Sequence, residues 1–201
     1  MRPTKVVFDI GNVLLRWDMR ALFAKLVDPR ELDAFLQDVC PVSWHATLDA
    51  GARYADAIAQ RVALHPHYAD AIRAYDPRWQ ETILGPIMES VRLLERLRGA
   101  GAPTYAITNF PAEKFDETCA LYPFLQGFEG VVVSGRERVT KPDPAIFRLF
   151  LARYGLEARD CAFIDDSPAN VASAAALGFH AVLFEDPGRL EGQLAALGLP
   201  V

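Results

Sequence analysis

With 201 residues, 51% of them apolar, the chain can bury a substantial core, and its length fits one domain with a small insertion better than two equal domains. A formal net charge of −5 and an isoelectric point near 5.4 argue against a nucleic-acid partner, whose binders carry a basic surface that displaces counterions. The three cysteines, Cys40, Cys119 and Cys161, are odd in number and far from any histidine at zinc-ligand spacing, so neither a disulfide framework nor a zinc site is expected, and a reducing cytoplasm suits them.

Val6-Val7-Phe8 is a β-branched and aromatic run that stops at Asp9 and passes into Gly11-Asn12, as a buried strand does when it ends in a loop. It is too short for a signal-peptide core, and no later segment approaches the roughly 18 apolar residues of a spanning helix, so no membrane association is expected. From about Met19 to Leu84 no buried strand is evident, but Tyr54, Ala57, Ile58, Arg61 and Val62 share one helical face, and residues 18–84 read as a small helical insertion. Beyond it the pattern alternates. Helices are predicted over 87–100, 112–121, 144–154 and 168–176. Strands are predicted over 104–107, ending at Thr108-Asn109; over 131–133, ending at Ser134-Gly135; over 161–164, ending at Asp165-Asp166; and over 181–184. Continuously apolar strands imply burial on both faces, hence a doubly wound α/β fold with a parallel sheet, built from residues 1–17 and 85–201.

In such a sheet the polar residues that follow the strands converge at one edge, where ligands bind. A single aspartate after a strand is usually a turn former or a helix cap, but Asp9, Thr108-Asn109 and Asp165-Asp166 together are hard to explain by capping. Three clustered carboxylates repel one another unless a hard cation intervenes, and ligation by oxygen alone points to magnesium. Asp18 reads either as a cap or as an acid. Trp44, His45 and Asp49 fall in the insertion, where a substrate selector would lie; His65, His67 and His180 receive no role.

The stretches FDIGNVL at 8–14, ITNF at 107–110, TKPDPAIF at 140–147 and FIDDSPANVASAAALG at 163–178 resemble, in order and spacing, the four motifs of the haloacid dehalogenase superfamily, and the helical insertion resembles its C1-type cap. The resemblance implies a Rossmann-like hydrolase acting on a small phosphorylated metabolite. Asp9 would be the nucleophile, Thr108 and the backbone N–H of Asn109 would hold phosphoryl oxygens, and Lys141 would offset developing charge. Magnesium would be held by Asp9, the Gly11 carbonyl, Asp165 and Asp166, while Ser167 and Asn170 would fix the loop.

One position departs from the pattern of the superfamily's phosphatases, which carry a second aspartate, the proton donor, where this chain has Gly11. Either the leaving group departs with little help, or another residue serves, or the chemistry differs. The D-x-G-N-V form resembles a branch that includes sugar 1-phosphate phosphatases, whose leaving group is a good one. Loss of that aspartate also resembles the 2-haloacid dehalogenases, which however carry an aromatic residue there and need no metal. A catalytically weak phosphate-binding protein on the same fold is the third reading.

Overall fold

The computed structural model describes residues 2–201, so of the predicted core only Met1 lies outside it. Strand β1 (Lys5–Phe8) is followed by a short pair, β2 (Leu15–Trp17) and β3 (Ile83–Pro86), and then by β4 (Thr104–Thr108), β5 (Gly130–Val133), β6 (Cys161–Asp165) and β7 (His180–Leu183). All but the short pair form one parallel sheet in the order β5-β4-β1-β6-β7. The chain thus builds outward from β1 through β4 to β5, then crosses back to the other side of β1. The crevice at the carboxyl end of β1 is the switch point of the sheet.

Every residue of β4 and β6 is buried, as their unbroken apolar character requires. Alternate side chains of β1 enter opposite cores: Val6 and Phe8 join the larger one, which continues into the helical insertion, while Val7 packs with Ile107, Phe147 and Phe163.

Between β2 and β3 lie α1 (Arg20–Phe23), α2 (Leu32–Ala34), α3 (Val42–Asp49), α4 (Tyr54–Leu64) and α5 (Ala69–Ala74). The strand connections carry α6 (Met88–Gly99), α7 (Ala112–Leu121), α8 (Ser134–Glu137), α9 (Pro144–Tyr154) and α10 (Pro168–Ala176), and α11 (Pro187–Ala196) closes the chain. The boundaries of α9 follow from its ends. Asp143 accepts the Ala145 N–H at 2.8 Å, Pro144 occupies the first turn, and Gly155 closes the helix in the left-handed region at φ 62°.

The structure adds elements that the pattern does not announce. β2 and β3 pair antiparallel, Leu15 opposite Pro86 and Arg16 opposite Gly85, and join the two legs of the insertion. β3 begins at Ile83, so the end of the predicted helical stretch is strand. Strands this short carry no periodic signal; here a turn creates them. Asn12 adopts φ 55°, a conformation asparagine tolerates better than most residues, donates its N–H to the Leu15 carbonyl at 2.7 Å, and accepts the Trp17 N–H on Oδ1 at 3.1 Å. Helix α11 is likewise unannounced, although Asp186 caps it through the Gly188 N–H at 2.7 Å.

The insertion meets the sheet at a joint of two glycines. Gly51, at φ +93°, comes so close that a Cβ would stand 2.8 Å from the Gly135 carbonyl oxygen, and a Cβ on Gly135 would stand 2.5 Å from the Ala112 nitrogen. Both obstacles are backbone. Gly135→Ala should therefore destabilise the protein by about 1–3 kcal/mol, as overpacking does. Gly192→Ala, in exposed helix with nothing within 4 Å of the new Cβ, should instead stabilise by about 0.5–1 kcal/mol. Thermal unfolding followed by circular dichroism checks both, at about 2–4 °C of melting temperature per kcal/mol.

Candidate active site

The ends of β1, β4 and β6 lie side by side, and the register that pairs Phe8 with Ala106 and Ile164 sets Asp9 level with Asp165 and one residue short of Thr108. Thr108 and Asp165 are themselves the final residues of β4 and β6 rather than the first of the loops. Lys141 reaches between the carboxylates from the loop before α9. Its Nζ lies 2.8 Å from Asp9 Oδ1 and 2.6 Å from Asp165 Oδ2, with the side chain wholly buried.

Asp9 Oδ1 also accepts the Ile10 N–H at 2.7 Å, which leaves Oδ2 as the unengaged oxygen. Asp165 is held harder: Oδ1 accepts the Ser167 N–H and the Asn170 Nδ2, both at 2.9 Å, and Oδ2 accepts from Lys141. Asn109 aims the lysine. Its Oδ1 accepts the Lys141 N–H at 2.8 Å and its Nδ2 donates to the Lys141 carbonyl at 3.0 Å, a carboxamide matching a residue's backbone donor and acceptor. That side chain is thereby occupied, so any part Asn109 takes in holding substrate falls to its backbone N–H. Thr108 is completely buried and does not itself line the cavity, yet its hydroxyl has no partner, a state worth about 1–3 kcal/mol that a ligand oxygen would relieve.

Three carboxylates share one ammonium. Burial pushes Asp9 up to about 7 against the opposing pull of Lys141, with Asp165 and Asp166 adding to the rise. Burial and Asp165 raise Asp166 as well. Burial alone would lower Lys141, but Asp9 and Asp165 outweigh it and hold the lysine above its ordinary value. The site is short of positive charge. Oxygens of Asp9, Asp165 and Asp166 all lie within 4.8 Å of one another, with no nitrogen or sulfur donor in the group, and this set fits a hard divalent cation such as magnesium. The hydrogen bonds already made by Asp165 leave Asp9 and the exposed Asp166 as the less encumbered ligands.

Above these groups lies a cavity of about 380 Å³. Asp9, Gly11, Lys141 and Asp166 line its charged end, and Leu15, Trp17, Val42, Trp79, Ile83 and Phe110 give it apolar walls. Trp17 stacks on His45 with ring centres 4.6 Å apart, and His45 stacks on Trp79 at 5.3 Å. Among the described residues that line the cavity, the titratable groups from the insertion are His45 and Asp49, one helical turn apart. Trp44 instead packs on Tyr75, away from the cavity. Asp18 accepts the Arg20 N–H at 2.8 Å and does not line the cavity, so it acts as a cap. Trp17 and Trp79 carry no local signal of this role, since one sits on a strand of three residues and the other in a short turn of 3₁₀ helix.

A family model described as a haloacid dehalogenase-like hydrolase matches residues 6–178. The sesquiterpene phosphatase AstK of Aspergillus oryzae is 32% identical over 95 residues, 47% of this chain and 48% of that protein. Flavin mononucleotide hydrolase 1 of Arabidopsis thaliana is 31% identical over 111 residues, 54% of this chain and 44% of that protein. The chain spans less than half the length of the curated relatives it matches. Among solved structures, a HAD family enzyme of Bacteroides thetaiotaomicron, in complex with magnesium and inorganic phosphate, superposes with a TM-score of 0.70 at 20% identity, covering 91% of this chain and 94% of that one. At that identity the likeness is one of fold.

Ligation by Asp9 requires its carboxylate form, so cation binding should expel a proton from a group that titrates near 7. Affinity for magnesium should rise several-fold between about pH 6 and pH 8 and change little above that range. Calorimetric titrations in buffers of different ionisation enthalpy measure both the affinity and the proton released. An affinity independent of pH across that range would place the cation away from Asp9.

Proposed function

We propose that this chain, which belongs to the haloacid dehalogenase-like hydrolase family, is a magnesium-dependent phosphatase that moves the phosphoryl group of a small metabolite to Asp9 and then to water. The observation that carries the reading is the trio of carboxylates, two of them paired with one buried lysine, at the switch point of the sheet.

Each group has a part its surroundings support. Asp9 attacks phosphorus through Oδ2, while its other oxygen stays anchored by Ile10 and Lys141. Lys141 offsets the charge that builds on the transferring group, and Asn109 keeps it in place. The unpartnered hydroxyl of Thr108 and the backbone N–H of Asn109 hold phosphoryl oxygens. Asp9, Asp166, Asp165 and the Gly11 carbonyl would hold magnesium, which supplies charge that draws a phosphoryl oxygen toward the nucleophile.

Helices α1–α5 act as the cap. The aromatic and aliphatic walls of the cavity, to which α3 adds Val42 and the β2–β3 region adds Trp17, Trp79 and Ile83, favour a substrate with a flat or apolar body, and the named activities of the two curated relatives described above concern such bodies. A sugar 1-phosphate, favoured by its good leaving group, would find polar partners in His45 and Asp49. Magnesium-independent dehalogenation is the weaker reading, because it leaves the carboxylate cluster without a purpose. We place the protein in the cytoplasm, on the strength of its three free cysteines and of described helices none of which is long and apolar enough to cross a membrane.

Asp9→Asn should abolish phosphate release while leaving the melting temperature within a few degrees, and excess chelator should do the same to the natural protein. The assay is phosphate release from a panel of aryl, isoprenoid, flavin and sugar 1-phosphates, with halide release from 2-chloropropionate measured in parallel without magnesium. Undiminished turnover in either condition, or halide release alone, would overturn the phosphatase reading.

A further inference from the structure

The insertion presents to the cavity one carboxylate, Asp49, that has no part in the transfer of the phosphoryl group described so far. Asp49 ends α3 and lines the same cavity as Asp9. Its backbone is not free to drift. The Asp49 carbonyl accepts the Ser134 hydroxyl at 2.6 Å, and Ser134 Oγ in turn accepts the Phe110 N–H at 2.9 Å. Two hydrogen bonds therefore tie Asp49 to the residue two positions beyond Thr108, and the Gly51 and Gly135 contact closes the same joint.

The side chain is confined by burial beside His45. Asp49 Oδ1 is buried 3.3 Å from His45 Nε2, though not aligned for a hydrogen bond, and the whole side chain is only 13% exposed. His45 Nδ1 lies 2.8 Å from the Tyr75 hydroxyl. Tyr75 is buried, and burial holds its phenol protonated far above the ordinary range. With Nδ1 engaged by Tyr75, the other ring nitrogen, Nε2, is the one that faces Asp49. The flanking rings of Trp17 and Trp79 keep the imidazole from turning. With Oδ1 directed at His45, the accessible part of the carboxylate is left to the cavity. Meanwhile a Cβ at Gly11 would meet nothing within 4 Å, so nothing in the protein fills the space that a side chain there would take.

We propose that Asp49 is the proton donor and acceptor of the reaction, delivered by the insertion in place of a carboxylate at position 11, with His45 and Tyr75 as positioning residues. The proposal rests on the phosphatase reading. As Asp9 attacks, the bond from phosphorus to the leaving oxygen breaks, its electron pair stays on that oxygen, and the oxygen takes the proton of the Asp49 carboxyl. Water then attacks phosphorus and gives its proton to the Asp49 carboxylate. The bond from phosphorus to Asp9 breaks with its pair returning to Asp9, and both carboxyl groups end as they began.

The test compares the natural protein and Asp49→Asn on aryl and alkyl phosphates of similar size, with saturating magnesium. General acid catalysis contributes about 10²- to 10⁴-fold and matters most for poor leaving groups. Asp49→Asn should therefore lower kcat about 10²-fold or more for alkyl phosphates and less than about tenfold for p-nitrophenyl phosphate, with KM little changed. Gly11→Asp in that background should recover part of the alkyl rate. The natural protein should show only a shallow dependence of log rate on leaving-group pKa, and a steep one overturns the proposal without any variant. Equal losses across the series, or a raised KM with kcat preserved, also overturn it, by assigning Asp49 to structure or to substrate recognition. Absence of turnover on every phosphate in the natural protein would be a different failure, that of the phosphatase reading itself.

Discussion

The ammonium of Lys141, removed from water and set between Asp9 and Asp165, is the contact around which this molecule is arranged. Burying such a group costs several kcal/mol, and the cost is met only when partners approach closely and their remaining lone pairs are satisfied. The protein meets both conditions everywhere but at Asp9 Oδ2: Ile10, Ser167 and Asn170 bind the other carboxylate oxygens, and the Asn109 carboxamide grips the lysine's backbone. Removing Lys141 would leave Asp9 and Asp165 facing each other in the interior without a cation, whereas neutralising Asp9 leaves the lysine paired with Asp165. The charge of the site is nevertheless unbalanced, and the elevated Asp9 and Asp166 are the physical record of that imbalance.

The same edge that gathers charge is walled by aromatic surface. The hairpin of β2 and β3 leads the chain out of the sheet and back, and Asn12 sets its turn, so Trp17 is delivered over the site by local backbone geometry. Trp79, His45 and Tyr75 come from three separate pieces of the insertion and meet there in one aromatic cluster, His45 stacked on Trp79 and Tyr75 edge-on to both. Close packing of flat rings gives the insertion a defined position, and the two facing glycines allow it to approach the backbone of the sheet connections. The charged end and the apolar end of the cavity are thereby built by different parts of the chain, which in the proposed function divides the phosphate from the remainder of the substrate.

Much of this was legible in the residues. Runs such as Cys161-Ala162-Phe163-Ile164 can only be strands buried on both faces, and strands of that kind make a parallel sheet with its polar ends on one edge. Helices α7, α9 and α10 end where caps, prolines and glycines require, because those signals act over a single turn. The order of the four motifs sufficed to place Asp9, Lys141, Asp165 and Asp166 together. Other features left no local trace. β2 and β3 exist through pairing across the intervening residues 18–82, and a segment of three or four residues cannot show a period.

What the sequence by itself determined was therefore the α/β architecture, the haloacid dehalogenase resemblance and the identity of the charged residues, since each depends on runs of neighbours or on fixed spacing. Only the tertiary structure decided which atoms of those residues are engaged: that Asn109 serves Lys141, that Oδ2 of Asp9 is the free oxygen, and that Asp18 is a cap. It alone brought Asp49 and His45 to the cavity while turning Trp44 away, because residues one position apart on a helix point about 100° from each other, and which of them faces the site depends on how the whole helix is docked.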